Sequence, residues 1–347
     1  MKTTFFTLIL TQLLTLSAHA GSWNGSNDPS LFDDHYEYHL SALPVKGTLA
    51  TLPWSETYWP SDHGSINYRW NSSNPVGFDY VSPTRAEVMQ MSKDQLAQLS
   101  PSEKYDLAMG RYDYPLKTEV MGSASKHAPS WAGICNGWSP MALQLPEPKA
   151  VEITNPDGIV IPFGSSDVKG LLSYYAAFYA DLDVIQIGTR CNKIGEILNL
   201  PGCQDVNAGA FHVTLANEIG IKGKGFVADV DPGNQVWNQP IYGFEFELTG
   251  STFSTHGKSA VTVHAKMFYT DELEKSLWTP VVGTPQFSSN SREMDYVLEL
   301  DNDGKITGGE WINHSSHPDF LWKANKDVTF TGDFEGLNRI YQPVTKN

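Results

Sequence analysis

The chain has little cysteine and little positive charge. Three cysteines in 347 residues cannot staple a scaffold, and a chain of this length buries enough apolar surface to fold without them. Lysine and arginine number 24 against 39 aspartates and glutamates, a formal charge of −15. That balance repels phosphate backbones and anionic lipid, so neither nucleic acid nor a membrane surface is an expected partner. Past the first twenty residues, no window of membrane-spanning length is free of charge or proline. Heptads, internal repeats and low-complexity tracts are absent as well, which excludes coiled coils and solenoids. What is present is a globular composition, 40 % hydrophobic and 12 % aromatic. Its 21 prolines and 29 glycines punctuate the chain densely and leave room only for short helices.

Residues 1–20 read as an export signal. Lys2 supplies the positive start, Phe5 to Leu16 the apolar stretch, and Ala18-His19-Ala20 the small-residue cleavage site. A secreted, extracellular location follows, and it changes how the cysteines are read. An odd number in an oxidising compartment leaves one thiol unpaired or paired to another chain. Cys191 and Cys203 bracket a short segment whose ends could meet in a local bridge, which leaves Cys135 alone. A free thiol in a secreted protein suggests chemical use; the plain alternative is a buried, inert cysteine.

Residues 21–125 form an N-terminal segment, either integral to the fold or a removable pro-region over the thiol. Its first part, to about residue 80, is irregular and aromatic. Residues 84–111 are helical, and Ser100-Pro101-Ser102-Glu103 divides them into two helices. Residues 126–347 form the expected catalytic domain. Its helix is VKGLLSYYAAFYA. Strand-like segments are GIVIPFG, DVIQIGTR, FHVTLAN, GFVADVD, YGFEFELTG and SAVTVHAKMFYT. Helices followed by a run of antiparallel-looking strands predict an α+β fold.

The segment SWAGICNGWSPMALQL, residues 130–145, places Cys135 at or just before a helix start. Unsatisfied amides and the helix dipole there favour thiolate, the competent nucleophile, and could hold an oxyanion. Trp131 and Trp138 are positioned to wall the site against water. Further on, His212 opens a strand-like run and a Gly/Lys turn at 220–225 returns the chain. In a hairpin centred on that turn, Asp229 and Asp231, two apart and on one face, come back beside His212. A carboxylate beside an imidazole fixes its tautomer and steadies the imidazolium, so Cys135, His212 and either Asp229 or Asp231 make a nucleophilic acyl-transfer set.

ELDNDGKITGGE, residues 299–310, fits the spacing of a twelve-residue calcium loop, with Asp301, Asp303 and Glu310 as ligands. Its flanks read as strands, however, and Asp303-Gly304 is a strong turn, so a hairpin is the favoured reading. Calcium is the one cofactor the spacing raises; no organic cofactor is expected. Asn24, Asn71 and Asn313 stand in glycan-acceptor triplets.

VWNQPIYGFEFE, residues 236–247, resembles the peptide signature of the transglutaminase elicitors, secreted calcium-dependent transglutaminases of oomycetes whose surface peptide plants recognise. Val236, Trp237, Asn238, Gln239, Pro240, Gly243 and Phe244 match the pattern. Tyr242 and Glu245 stand where the plant-recognised version has basic residues. Trp131 to Trp138, Ala210-Phe211-His212-Val213, YWPSDHGSINYRW, GGEW at 308 and PDFLW at 318 look like further blocks of the family, so the resemblance runs from about 54 to 322. This chain is similar to it as a bacterial-type or related homologue.

The resemblance implies a papain-like or transglutaminase-like core, with the Cys-bearing helix packed on an antiparallel sheet. It also implies a Cys/His/Asp site carried on Cys135 and His212. The activity implied is protein-glutamine γ-glutamyl transfer: Cys135 forms a thioester with a glutamine side chain, and a lysine amine resolves it to an isopeptide cross-link, or water deamidates it. Protein substrates are therefore the expected partners. A secreted cysteine peptidase or amidase would use the same triad, and a recognition protein retaining the scaffold would use none of it.

Overall fold

One local device starts the first three helices. Thr84, Ser92 and Ser100 each accept the N–H of the residue three further on, and Glu87, Gln95 and Glu103 reach back to the caps' own N–H groups. Such boxes satisfy orphan amides at both ends of a short span. They give α1 (Arg85–Val88), α2 (Lys93–Ala97) and α3 (Pro101–Ala108). The two expected helices are thus three, because Ser92 caps a new start that the periodicity did not separate. There follow α4 (Pro115–Ser123), α5 (Cys135–Gln144), α6 (Ser165–Phe178), α7 (Ala208–Leu215) and α8 (Leu337–Ile340).

The computed structural model describes Trp23 and residues 25–344 except 74–76, 191–203, 232, 254–258 and 314–315, with the backbone alone for 251–253. The export signal and the Cys191–Cys203 pairing lie outside the described residues. No helix among the described residues is long and apolar enough to cross a membrane.

The strands are β1 (Lys46–Thr48), β2 (Val151–Thr154), β3 (Val160–Phe163), β4 (Val184–Gly188), β5 (Phe226–Asp229), β6 (Asn238–Phe253), β7 (Ser259–Thr270), β8 (Ser289–Leu300), β9 (Ile306–Trp311) and β10 (Phe320–Ala324). Seven form one path, β4-β10-β5-β6-β7-β8-β9, antiparallel at every step, with β1 added beside β6 and β2–β3 a separate hairpin. Register shifts at Ile241/Gly243, Leu248/Gly250 and Glu299/Leu300 sharpen the local twist. The sheet is curled into a half-barrel.

FHVTLAN is not a strand but most of α7 and the start of a π-helical turn, Ala216–Ile221. Asn207 caps α7 through Gly209 and Ala210, and Gly209 lies so close to the Gly308 backbone of β9 that a Cβ would collide. Every residue from Ala208 to Ala216 is buried. A helix buried all round has no polar face, so its 3.6-residue period carries no signal. His212 and Thr214, polar and two apart, imitated a strand instead. The α+β composition holds, but the hairpin expected to return Asp229 and Asp231 to a strand-borne His212 does not exist.

Two large apolar clusters lie around α3 to α6 and between α7 and the sheet, and a small third one gathers Val227, Phe320 and Trp322. The N-terminal segment enters both large ones. Trp54 and Trp59 are buried in the first, and β1 pairs with β6 beside the second. Buried charges tie the helical half together. Lys104 meets Asp167 at 2.7 Å with both side chains fully buried, and Lys169 is held by Glu147 at 2.7 Å and the Ser55 carbonyl at 2.8 Å.

Candidate active site

Cys135 is the first residue of α5 and is 7 % exposed. Its approach is fixed from the N-terminal side: the Tyr58 carbonyl accepts the Ile134 N–H at 2.8 Å, and a Cβ on Gly133 would strike that same carbonyl. From the other side comes β6. Ser139 Oγ donates to the Asn238 carbonyl at 2.5 Å, pinning the strand to the helix. The thiol then lies 3.7 Å from the Val236 carbonyl, and Asn238 Nδ2 donates to Sγ at 3.6 Å.

The Asn238 amide is oriented by Trp322. Its indole N–H donates to Asn238 Oδ1 at 2.7 Å; a donor-only group there leaves Nδ2 to face sulfur. Asn238 pairs in register with Asp229, the last residue of β5. Asp229 is fully buried. Its Oδ1 accepts the N–H of Trp237 at 2.8 Å and of Asp231 at 3.4 Å, and Oδ2 has no hydrogen-bond partner. Burial pushes this carboxyl up from 3.8 to about 7. Asp231 is half-buried and lies just beyond the strand end.

The resting thiol is not the depressed one the helix start predicted. Burial, and then the nearby acids Glu272 and Asp229, carry it from 9 up to about 11, against the opposing bonds from Asn238. A helix N-terminus contributes at most about 2 kcal/mol, which removing an anion from water outweighs. Beside the thiol runs a cleft of about 520 Å³ whose walls include Asn136, Ala177, Gln186, Asn238, Phe320 and Trp322.

The other expected residues lie elsewhere. His212, on α7, is 2 % exposed; its Nδ1 is 2.8 Å from the Tyr296 hydroxyl and its ring stacks on Phe246 at 4.1 Å. Burial drives its pKa down to about 3. Cys135 and His212 thus have different hydrogen-bond partners on different elements. Trp138 is fully buried and donates to the Trp54 carbonyl at 3.1 Å, in the core rather than on a site wall. Trp131 is half-buried in the loop before α5.

Asp301 and Asp303 sit in the β8–β9 turn, where Asp301 Oδ1 accepts the N–H of Asp303 and of Lys305, both at 2.9 Å, and Gly304 takes φ +81°. This is the hairpin, not a helix-flanked loop. Glu310 is exposed on β9 opposite Val297. These three acids do not gather into a ligand cluster; among the described residues only Asp33, Asp34 and His35, on the surface, do so. The residues at 301–310 therefore do not fit a calcium cage, and no step below involves one.

Asn238, Trp322 and Glu272 are the site residues that the sequence left unassigned. Asn238 stands within the VWNQP block, which served there as a signature rather than as a side chain facing a sulfur.

These features define an α+β protein with a single buried free thiol among its described cysteines, presented at a helix start to the Asn238 amide, whose strand partner Asp229 carries a buried carboxyl. The family model for the transglutaminase elicitors matches residues 29–332, and the chain belongs to that family. A solved structure, the GP42 transglutaminase from Phytophthora sojae, superposes with a TM-score of 0.70 at 24 % identity, covering 91 % of this chain and 97 % of that one. No curated protein matches. The shared fold overturns the papain-like core expected above: the architecture is that of GP42, built on the curled antiparallel half-barrel. Most segment types are local properties and were readable, FHVTLAN excepted, whereas the strand order that separates one α+β core from another is not.

Proposed function

We propose that this chain is a secreted protein-glutamine γ-glutamyltransferase with Cys135 as nucleophile and Asp229 as the group that carries its proton. What supports the reading, beyond family membership, is the buried thiol held against Asn238 beside a buried carboxyl with one unpartnered oxygen. A glutamine side chain would reach the sulfur along the cleft between α5, α6 and β10. The Asp229 carboxylate takes the thiol proton as Sγ attacks the carboxamide carbon. A C–S bond forms, the C–N bond breaks, and the same proton leaves with ammonia. The first amides of α5, which have no intrahelical acceptor, and Asn238 Nδ2 supply donors for the oxyanion. An amine then attacks the thioester carbon; C–N forms, C–S breaks, and a proton from nitrogen restores the thiol. Water in place of the amine gives glutamate.

The test is incubation of the chain with a glutamine-containing peptide and a fluorescent primary amine, with Cys135→Ala alongside. Wild type is expected to release ammonia and incorporate the amine, and the variant to do neither. Incorporation that survives Cys135→Ala, or backbone cleavage in its place, would overturn the reading.

A further inference from the structure

The connection from β5 to β6 reaches the thiol and has no part in the chemistry above. Strand β5 is buried at every residue, and so are Asn238, Gln239 and Pro240, whereas Asn234 and Gln235 between them are exposed and Val236 and Trp237 half-buried. Residues 233–237 are thus a short strap between fixed ends. The Val230 N–H donates to the Trp237 carbonyl at 3.0 Å, and Asp229 Oδ1 accepts the Trp237 N–H at 2.8 Å, which ties those ends together. Along the strap itself the holds are few. Arg190 donates to the Asn234 carbonyl, the Trp237 indole N–H donates to Gln235 Oε1 at 2.8 Å, and the Trp237 ring meets Tyr58 edge to face at 5.3 Å. Val236 makes two contacts that matter. Its side chain packs on the cluster of Val227, Phe320 and Trp322, and the last two wall the cleft of about 520 Å³. Its carbonyl accepts the Cys135 thiol at 3.7 Å. Asn136 lines that cleft, and its neighbour Cys135 does not.

We propose that residues 233–237 are an autoinhibitory strap, with the Val236 carbonyl capping the resting thiol and the contact of Trp237 with Tyr58 as the latch. The inference concerns access to Cys135 and holds whatever acyl group arrives there. A thiol has one proton to donate. While Sγ donates it to Val236, that proton is not available to the unpartnered oxygen of Asp229, so the strap withholds the proton and the space together. A side chain entering the cleft gains the sulfur by taking the place of Val236 against Phe320 and Trp322, and the carbonyl leaves with its residue. Little holds the closed state. Sulfur is a weak donor, and one edge-to-face aromatic pair favours closure by about three- to tenfold. A segment with so few buried contacts opens locally without the strands on either side of it. The thiol is therefore covered at rest and uncovered by occupancy of the cleft.

The rate at which iodoacetamide alkylates Cys135, read by mass on its own peptide, tests this in wild type, Trp237→Ala, Tyr58→Leu and the double variant. Each single variant removes the latch and is expected to raise the rate about three- to tenfold. Both break one contact, so the double variant is expected to gain no more than either alone. In Tyr58→Leu, whose strap sequence is unchanged, hydrogen exchange of the Trp237 amide is expected to quicken by the same factor while the amides of α5 keep their wild-type protection. An alkylation rate that stays put, a double variant whose gain is the product of the two, or exchange that is unchanged at Trp237 or equally quickened through α5, overturns the strap. Should Trp237→Ala not fold, Tyr58→Leu and Trp237→Phe decide, the latter keeping an aromatic edge and the wild-type rate to within about twofold. The assay needs no turnover, so a failure of the transferase reading leaves its outcome untouched and the two are separable.

Discussion

Asp229→Asn separates stability from function at one atom. The carboxyl is fully buried and raised from 3.8 to about 7 by that burial. A group whose folded pKa lies above its unfolded one destabilises the fold once pH passes the unfolded value, because the unfolded chain ionises and the folded one resists. The penalty therefore begins near pH 4, grows to pH 7 and then levels off. Each decade between the two pKa values corresponds to about 1.4 kcal/mol, so the ceiling is about 4 kcal/mol above pH 7. Asparagine keeps the acceptor for the Trp237 and Asp231 N–H groups and never ionises; an unpaired NH₂ replaces an unpaired oxygen. The variant is expected to be more stable than wild type at about pH 8, by less at about pH 6, and no more stable at about pH 4. Amine incorporation is expected to be lost throughout. Guanidinium titrations followed by tryptophan fluorescence, run as a pH series on both proteins, measure the difference directly. A difference that is flat with pH, or a variant less stable than wild type at high pH, would refute the burial argument for this carboxyl.

In wild type the rate of amine incorporation is expected to rise as pH passes about 7, where Asp229 ionises and can accept the thiol proton; a rate that falls across that range contradicts the assignment. His212→Gln preserves a polar contact to Tyr296, and with His212 held in the α7 core it is expected to shift thermal stability while retaining incorporation; loss of incorporation with unchanged circular dichroism would restore the histidine to the chemistry. Lys104→Met leaves Asp167 buried without its cation and is expected to cost about 3–5 kcal/mol, read as a lowered denaturation midpoint. Gly137→Ala drives a Cβ into the Ser173 carbonyl where α5 crosses α6; overpacking of that kind costs about 1–3 kcal/mol and shows as a lowered melting temperature.

Much of the molecule was written in local sequence. Strands β3 to β9, helix α6 and the β8–β9 hairpin follow from alternation, turn residues and propensity, which act over a few residues. The standing of Cys135 at a helix start was likewise legible from Gly133 and the apolar run after it. Tertiary structure decided the rest. Whether that start would ionise the sulfur depended on what covered it: burial and two acids brought in from β5 and the β7–β8 connection outweigh the dipole. His212 looked like a strand residue because α7 is buried on every side and shows no amphipathic period. Asn238 became a partner of the thiol only when Ser139 pinned β6 to α5 and the indole of Trp322, more than eighty residues away, turned the amide. A local pattern encodes the element a residue belongs to where one face of that element meets water, as it does not in α7. Which residues from distant elements then share a desolvated pocket, and with what charge, is set by the packing of those elements.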